Sequence, residues 1–194
     1  MLVKDRANDF IRRLSEPFAR RLARLATDER GVSAVEFALL LPLMLTIYLG
    51  AVEVSQGIGA DRKVTLTART VADLVSQASS LSANDMTNSL NAASAVMAPY
   101  PAANMKATVT SVKIDSNGNA TVEWSATKNG IVKSVGSSVT LPPALKVAGT
   151  WLIWSEVEYA YKPTIGYVVT GTLTLKQQFY MRPRQSDSVV YPAT

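Results

Sequence analysis

The sequence predicts an α+β protein: one long N-terminal helix, membrane-spanning in its first half, packed on a small antiparallel β-sheet head. Three observations lead there. Phe37 to Val52 is a run of 16 residues without a charge. The segment after it repeats apolar residues at spacings of three and four. The C-terminal half holds Val- and Thr-rich runs with alternating apolar residues, separated by Gly, Pro and Asn.

The chain of 194 residues suits one domain plus appendages, and 47% hydrophobic residues suffice for a packed core. The net charge of +5 is uneven: residues 1–31 carry eight Lys/Arg against five acids, and the remainder twelve against ten. A basic head of this kind marks a cytoplasmic membrane flank more often than a nucleic-acid site. No basic stripe interleaved with aromatics follows it, so no nucleic-acid partner is expected. The sequence has no Cys and no His. That removes disulfides, thiol nucleophiles, imidazole bases and most transition-metal sites.

Taken in order, residues 1–31 read as a basic cytoplasmic leader. Phe18, Leu22 and Leu25 fall at helical spacing beside Arg20, Arg21 and Arg24. This suits either a short helix on an anionic inner leaflet or a merely solvated leader helix. Residues 32–60 read as the transmembrane helix. The charge-free run spans about 24 Å against a bilayer core of about 30 Å, and Ala34, Val35, Val54 and Ile58 extend it. Phe37, Leu41, Pro42, Leu45 and Leu49 are the anchor residues. Pro42 removes one helix hydrogen bond and predicts a kink. Glu36 and Glu53 fall near the two edges. A buried soluble helix would need packing on all sides, which so small a chain cannot supply. A secretory signal peptide is the other alternative, with Gly57-Ile58-Gly59-Ala60 as a small-residue cleavage site. The basic head argues for a cytoplasmic N-terminus, although Arg62, Lys63 and Arg69 pull the other way.

The boundary reads Glu29-Arg30-Gly31-Val32-Ser33-Ala34-Val35-Glu36-Phe37. A carboxylate at a membrane edge is costly when unpaired. Cleavage after Gly31 would supply a cation, the new α-amino group of Val32. The Gly-x-x-x-x-Glu-Phe pattern ahead of an apolar helix resembles the class III signal peptide of type IV pilins and pseudopilins. With Pro42 and the basic leader, the string from Gly31 to Leu43 resembles the TadE/TadG-like proteins of tight-adherence (Tad, Flp-type) pilus systems. The resemblance implies a pilin-like architecture, Gly31 and Val32 as the prepilin peptidase cleavage site, and Glu36 as the assembly carboxylate. It also implies other pilins or pseudopilins and the Tad inner-membrane machinery as partners. The leader is long for this class, which keeps open a TadG-like protein that is never cut.

Residues 61–194 read as an extracytoplasmic α+β domain. Val64, Ala68, Val71, Val75 and Ala78 form one apolar stripe, so the helix continues to about Ser79. Ser82 to Ala98 reads as a second helix, capped by Ser82 or Asn84, with Met86, Leu90, Ala93 and Met97 on one side. Met105–Ile114 and Ala120–Thr127 read as a hairpin turning at Asn117-Gly118. Asp115, Asn117 and Asn119 resemble part of a calcium loop but lack its downstream Glu, and a plain turn is the simpler account. Residues 128–149 read as a long connection with a short strand at Ser138–Leu141, docked through Leu145 and Val147. Trp151 to Tyr161 puts Ile153, Val157, Tyr159 and Tyr161 on one face with Trp151, Ser155 being the exception, and Glu156 and Glu158 on the other. Tyr167 to Met181 reads as its hairpin partner, and the tail from Pro183 as polar and loose.

Glu156 and Glu158 are the best carboxylate pair, yet the solvent side of a hairpin accounts for them. Trp151 and Trp154 fall on opposite faces, and there is no phosphate loop or nucleophile elbow. The expectation is therefore no enzyme, no catalytic residue, no metal, no cofactor and no small-molecule substrate. The expected role is a pseudopilin or minor pilin of a Tad pilus in the bacterial inner membrane, with its C-terminal domain periplasmic. The rivals are an uncleaved TadG-like envelope scaffold and a membrane-anchored surface binding module using residues 128–149.

Overall fold

The computed structural model describes residues 29–167 and 170–192. The leader helix expected within residues 4–26, and Val169 of the last predicted strand, lie outside them. Helix α1 runs Glu29–Ser76 with Pro42 inside it, and the Thr46 hydroxyl donates to the Pro42 carbonyl at 2.8 Å. The chain divides into two compact units, Met1–Leu49 and Gly50–Thr194. In the first, the described residues are helical, and residues 31–48 are exposed.

In the second unit, α1 shows a buried stripe: Ala60, Val64, Ala68, Val71 and Val75. Each Val so buried contributes about 1.5–3 kcal/mol. Helix α2 (Ala83–Ala95) starts at Ser82, whose hydroxyl accepts the Asp85 N–H while the Asp85 carboxylate accepts the Ser82 N–H, a reciprocal cap. Met86, Leu90 and Ala93 of α2, and Met97 beyond it, enter the same core as the α1 stripe.

The sheet comprises β1 (Met105–Ile114), β2 (Ala120–Lys128), β3 (Trp151–Tyr161) and β4 (Leu173–Met181). It is antiparallel, in the order β2-β1-β3-β4. Asp115 closes the first hairpin. Its carboxylate accepts the N–H groups of Asn117 and Asn119 and the Asn119 side-chain amide. Gly118 takes φ of +81°, which a side chain would disfavour.

One face of the sheet covers the helices through Ala107, Val109, Trp124, Ala126, Ile153 and Val157. The register shifts at Ser111/Val112, where Ser111 pairs with Trp124 but Val112 pairs with Val122. Glu123 is thus the extra residue of a β-bulge. Beyond it, Val112, Ile114, Ala120 and Leu152 build a second, smaller core on the opposite face. The 128–149 connection covers that core with Leu141, Val139 and Leu145, while Val147 stays exposed. The short strand expected at Ser138–Leu141 reduces to one bridge, Thr121 to Ser138.

Two further expectations need correction. The last strand begins at Leu173, not Tyr167, because Gly166 and Gly171 adopt positive φ, which an extended strand does not. The tail after Pro183 is not loose. Val189 is fully buried, its carbonyl accepts the Trp124 indole N–H at 2.7 Å, and Tyr191 packs against the Trp124 ring. Val190 exchanges backbone hydrogen bonds with the 79–81 segment, and Arg184 pairs with Asp73 of α1. Backbone pairing and one indole outweigh the polar composition.

Candidate functional site

The candidate assembly segment is the beginning of α1. Gly31 and Val32 lie in its first turns, and a Cβ on Gly31 would meet nothing within 4 Å. Glu36 and Phe37 follow, both exposed, and Leu41, Pro42 and Leu45 are exposed as well. Leu49 is half-buried. Val32 and Glu36 stand four residues apart, hence on one helix face, about 6 Å along the axis. A cation on the Val32 nitrogen would therefore face the Glu36 side. Residues 31–48 expose apolar side chains on every side of the helix, whereas the core helix of a soluble domain buries its apolar stripe. By length and composition this helix can cross a membrane.

A second acidic position behaves differently. Glu53 is only 2% exposed, and its Oε1 accepts the backbone N–H of Tyr167 at 2.6 Å. One turn on, Gly57 lies under the Tyr161 ring, 3.8 Å from where its Cβ would be. The Tyr100 hydroxyl donates to the Gln56 carbonyl, and the Tyr100 ring meets Tyr159 and Tyr161 edge-on, with centroids 6.2 Å apart in each case. Burial pushes the hydroxyls of Tyr159 and Tyr161 above the ordinary tyrosine range. Sequence reasoning placed Glu53 at a membrane edge and missed its burial. The signal was present: stepping the buried stripe back from Val64 and Ala60 by three and then four residues reaches Gly57 and Glu53.

The outer face of the sheet carries a third feature, a groove of about 810 Å³ lined by Lys106, Lys133, Glu156, Glu158, Lys176 and the Asn129–Ile131 turn. Glu158 pairs with Lys176 at 2.9 Å and Lys106 at 3.6 Å, one from each neighbouring strand. Lys176, above all by hydrogen bonding, and Lys106 hold the Glu158 carboxyl below the ordinary carboxylate range. Glu156 pairs with Lys133, whose ammonium also lies 4.2 Å from the centroid of the Trp154 ring. Each carboxylate thus has a cationic neighbour, an arrangement that ties strands together. Glu123 at the bulge likewise accepts from Ser111 and from the Trp151 indole. Among the described residues no cluster of three His, Cys, Asp or Glu is placed to hold a metal ion.

Comparison with known families bears on α1. Residues 31–73 match the family model described as TadE-like protein. The TadE-like match opens at Gly31 and ends at Asp73, so it includes both the exposed apolar helix and most of the buried stripe. It covers well under half of the chain, and the sheet lies outside it. No curated protein and no solved structure matches the chain. The exposed apolar helix and the match to the TadE-like family model fall on the same segment and support a membrane anchor there.

Proposed function

We propose that this protein is a pseudopilin or minor pilin-like component that helps assemble a Tad (Flp-type) adherence pilus. The observation that carries the reading is the TadE-like match starting at Gly31, on an apolar helix that exposes Glu36 one turn beyond Val32. In this reading the basic leader stays in the cytoplasm and the helix crosses the bacterial inner membrane. The β-sheet head stands in the periplasm. A prepilin peptidase cuts between Gly31 and Val32. Glu36 then pairs with the Val32 amine, its own or that of a neighbouring pilin, while the helix docks into the growing assembly. The protein acts by packing, not by chemistry, and needs no cofactor. Other pilins and the Tad inner-membrane machinery are its partners.

One observation favours a second reading, an uncut TadG-like scaffold of the same system. Helix α1 already begins at Glu29, so the Gly31–Val32 peptide lies inside a helix and must unwind to be cut. The first turn of a helix frays readily, so the obstacle is small.

Intact mass of the membrane-bound protein distinguishes the two. A mature chain starting at Val32 is the expected result, and a chain retaining the leader moves the protein to the scaffold reading. Within the first reading, Glu36→Ala abolishes or sharply reduces piliation at normal protein level. Unchanged piliation removes the role given to Glu36.

A further inference from the structure

The two edges of the sheet differ. The outer edge of β2 is covered by its own chain: the Val122 N–H donates to the Ser137 carbonyl, and the N–H groups of Gly136 and Val139 donate to the carbonyls of Val122 and Ala120. β4 pairs with β3 along all of its 9 residues without a register shift, and among the described residues no backbone group pairs with its other edge. Such a row of unpaired N–H and C=O groups is a template for another strand unless Pro, a bulge or charge blunts it. Leu173–Met181 contains no Pro and one charge, Lys176. The side chains of β4 are also left open. Leu175 and Phe179 turn toward the core yet are only half-buried, whereas Tyr159 and Ser155, opposite them on β3, are buried. Leu173 is 42% exposed opposite the buried Tyr161. Helix α1 flanks this edge. The Gln177 amide donates to the Asp61 carboxylate at 2.9 Å, and the Arg69 guanidinium lies 5.9 Å from the centroid of the Phe179 ring. Arg69 is exposed and forms no ion pair among the described residues. Arg62, seven residues earlier and so on the same helix face, is exposed as well.

We propose that β4 is a strand-addition site for an extended, acid-bearing segment of a partner polypeptide. Main-chain hydrogen bonds to β4 supply the pairing, and alternate side chains of the added strand cover Leu173, Leu175 and Phe179. An acid on that same side reaches Arg69 and sets the choice of partner, because opposite charge across an interface selects one segment over another. A second copy pairing β4 to β4 suits the edge poorly, since the only charge it brings on that strand is Lys176, one more cation beside Arg69 and Arg62. This site goes beyond the pilus reading: β4 keeps its open edge whether or not the leader is cut.

The test uses the full-length protein in the cells that make it. Photoreactive p-benzoylphenylalanine is placed at Thr174, exposed on β4, or at Val147, exposed on the 128–149 connection, as the reference. Irradiation is expected to join Thr174, and not Val147, to one other polypeptide, and mass spectrometry of the joined peptide to find an Asp or Glu within it. Arg69→Glu lowers the yield of that adduct by about fivefold or more, and Arg69→Gln lowers it less. Changing the partner's acid to Lys restores the adduct in the Arg69→Glu background, a rescue that misfolding cannot mimic. No adduct from Thr174, or an equal one from Val147, overturns the proposal. An adduct of twice the chain's own mass overturns it by making a second copy the occupant. An adduct that Arg69→Glu leaves unchanged, or a loss that the partner's reversed charge does not rescue, overturns it by removing the acid.

Discussion

Trp124 illustrates how much one side chain can hold. Its ring enters the main core and packs on Tyr191, and its N–H reaches the Val189 carbonyl at 2.7 Å. Trp124→Phe keeps most of the ring volume but orphans that carbonyl, at a cost of about 1–3 kcal/mol. The expected outcome is a lower Tm together with faster proteolysis after Pro183. Ser155 makes the opposite case. It is fully buried, and its hydroxyl has no hydrogen-bond partner among the described residues. Ser155→Ala should raise stability by about 1 kcal/mol in chemical denaturation, since an unsatisfied hydroxyl is removed without opening a large cavity. The alternation of β3 already marked Ser155 as the odd residue on an apolar face. Nothing local in the sequence marked Trp124 as the clamp of a tail 65 residues away, because the partner is a backbone carbonyl with no signature of its own.

Among the elements, the helices were the most legible. The stripe from Val64 to Val75 and the Ser82 cap with Asp85 lie within single windows of sequence, where helical period and capping chemistry are strong signals. Ser82→Ala should destabilise the head by about 1 kcal/mol, read as a shift in the unfolding midpoint. The strands were legible in number and the β1–β2 turn in position. The bulge at Glu123 was not, since it depends on which residue of β1 faces Trp124. In the sequence, Tyr167 and Val169 continue the alternation of the last strand, whereas the positive φ of Gly166 and Gly171 keeps the strand from starting before Leu173. Of the candidate assembly segment, position and exposure followed from the sequence. The burial of Glu53 required extending a stripe upstream into the run that also reads as membrane.

For the whole molecule, the ionisable groups set a window of stability. Glu158, Asp85 and Asp115 are held below the ordinary carboxylate range, by Lys176, by the Ser82 cap and by the Asn119 turn respectively. In each case the unfolded chain takes up its proton first as pH falls, so the stabilisation present at neutral pH is lost through and below about pH 4. Burial raises Tyr159, Tyr161 and Tyr180, so their contribution is present below about pH 10 and is lost above it. Thermal melting across pH should give a plateau falling at both ends, and Glu158→Gln should soften the acid limb. The tail also has a bearing on biogenesis. The stripe of α1 is synthesised early, yet the core it faces closes only on Val189, more than a hundred residues later in the order of synthesis. While the ribosome is still working through the sheet, that stripe lacks part of its partner surface. A cell making this protein must shelter an unfinished apolar helix face for most of the time translation takes, and a message truncated before Val189 would yield an anchored chain open to proteolysis.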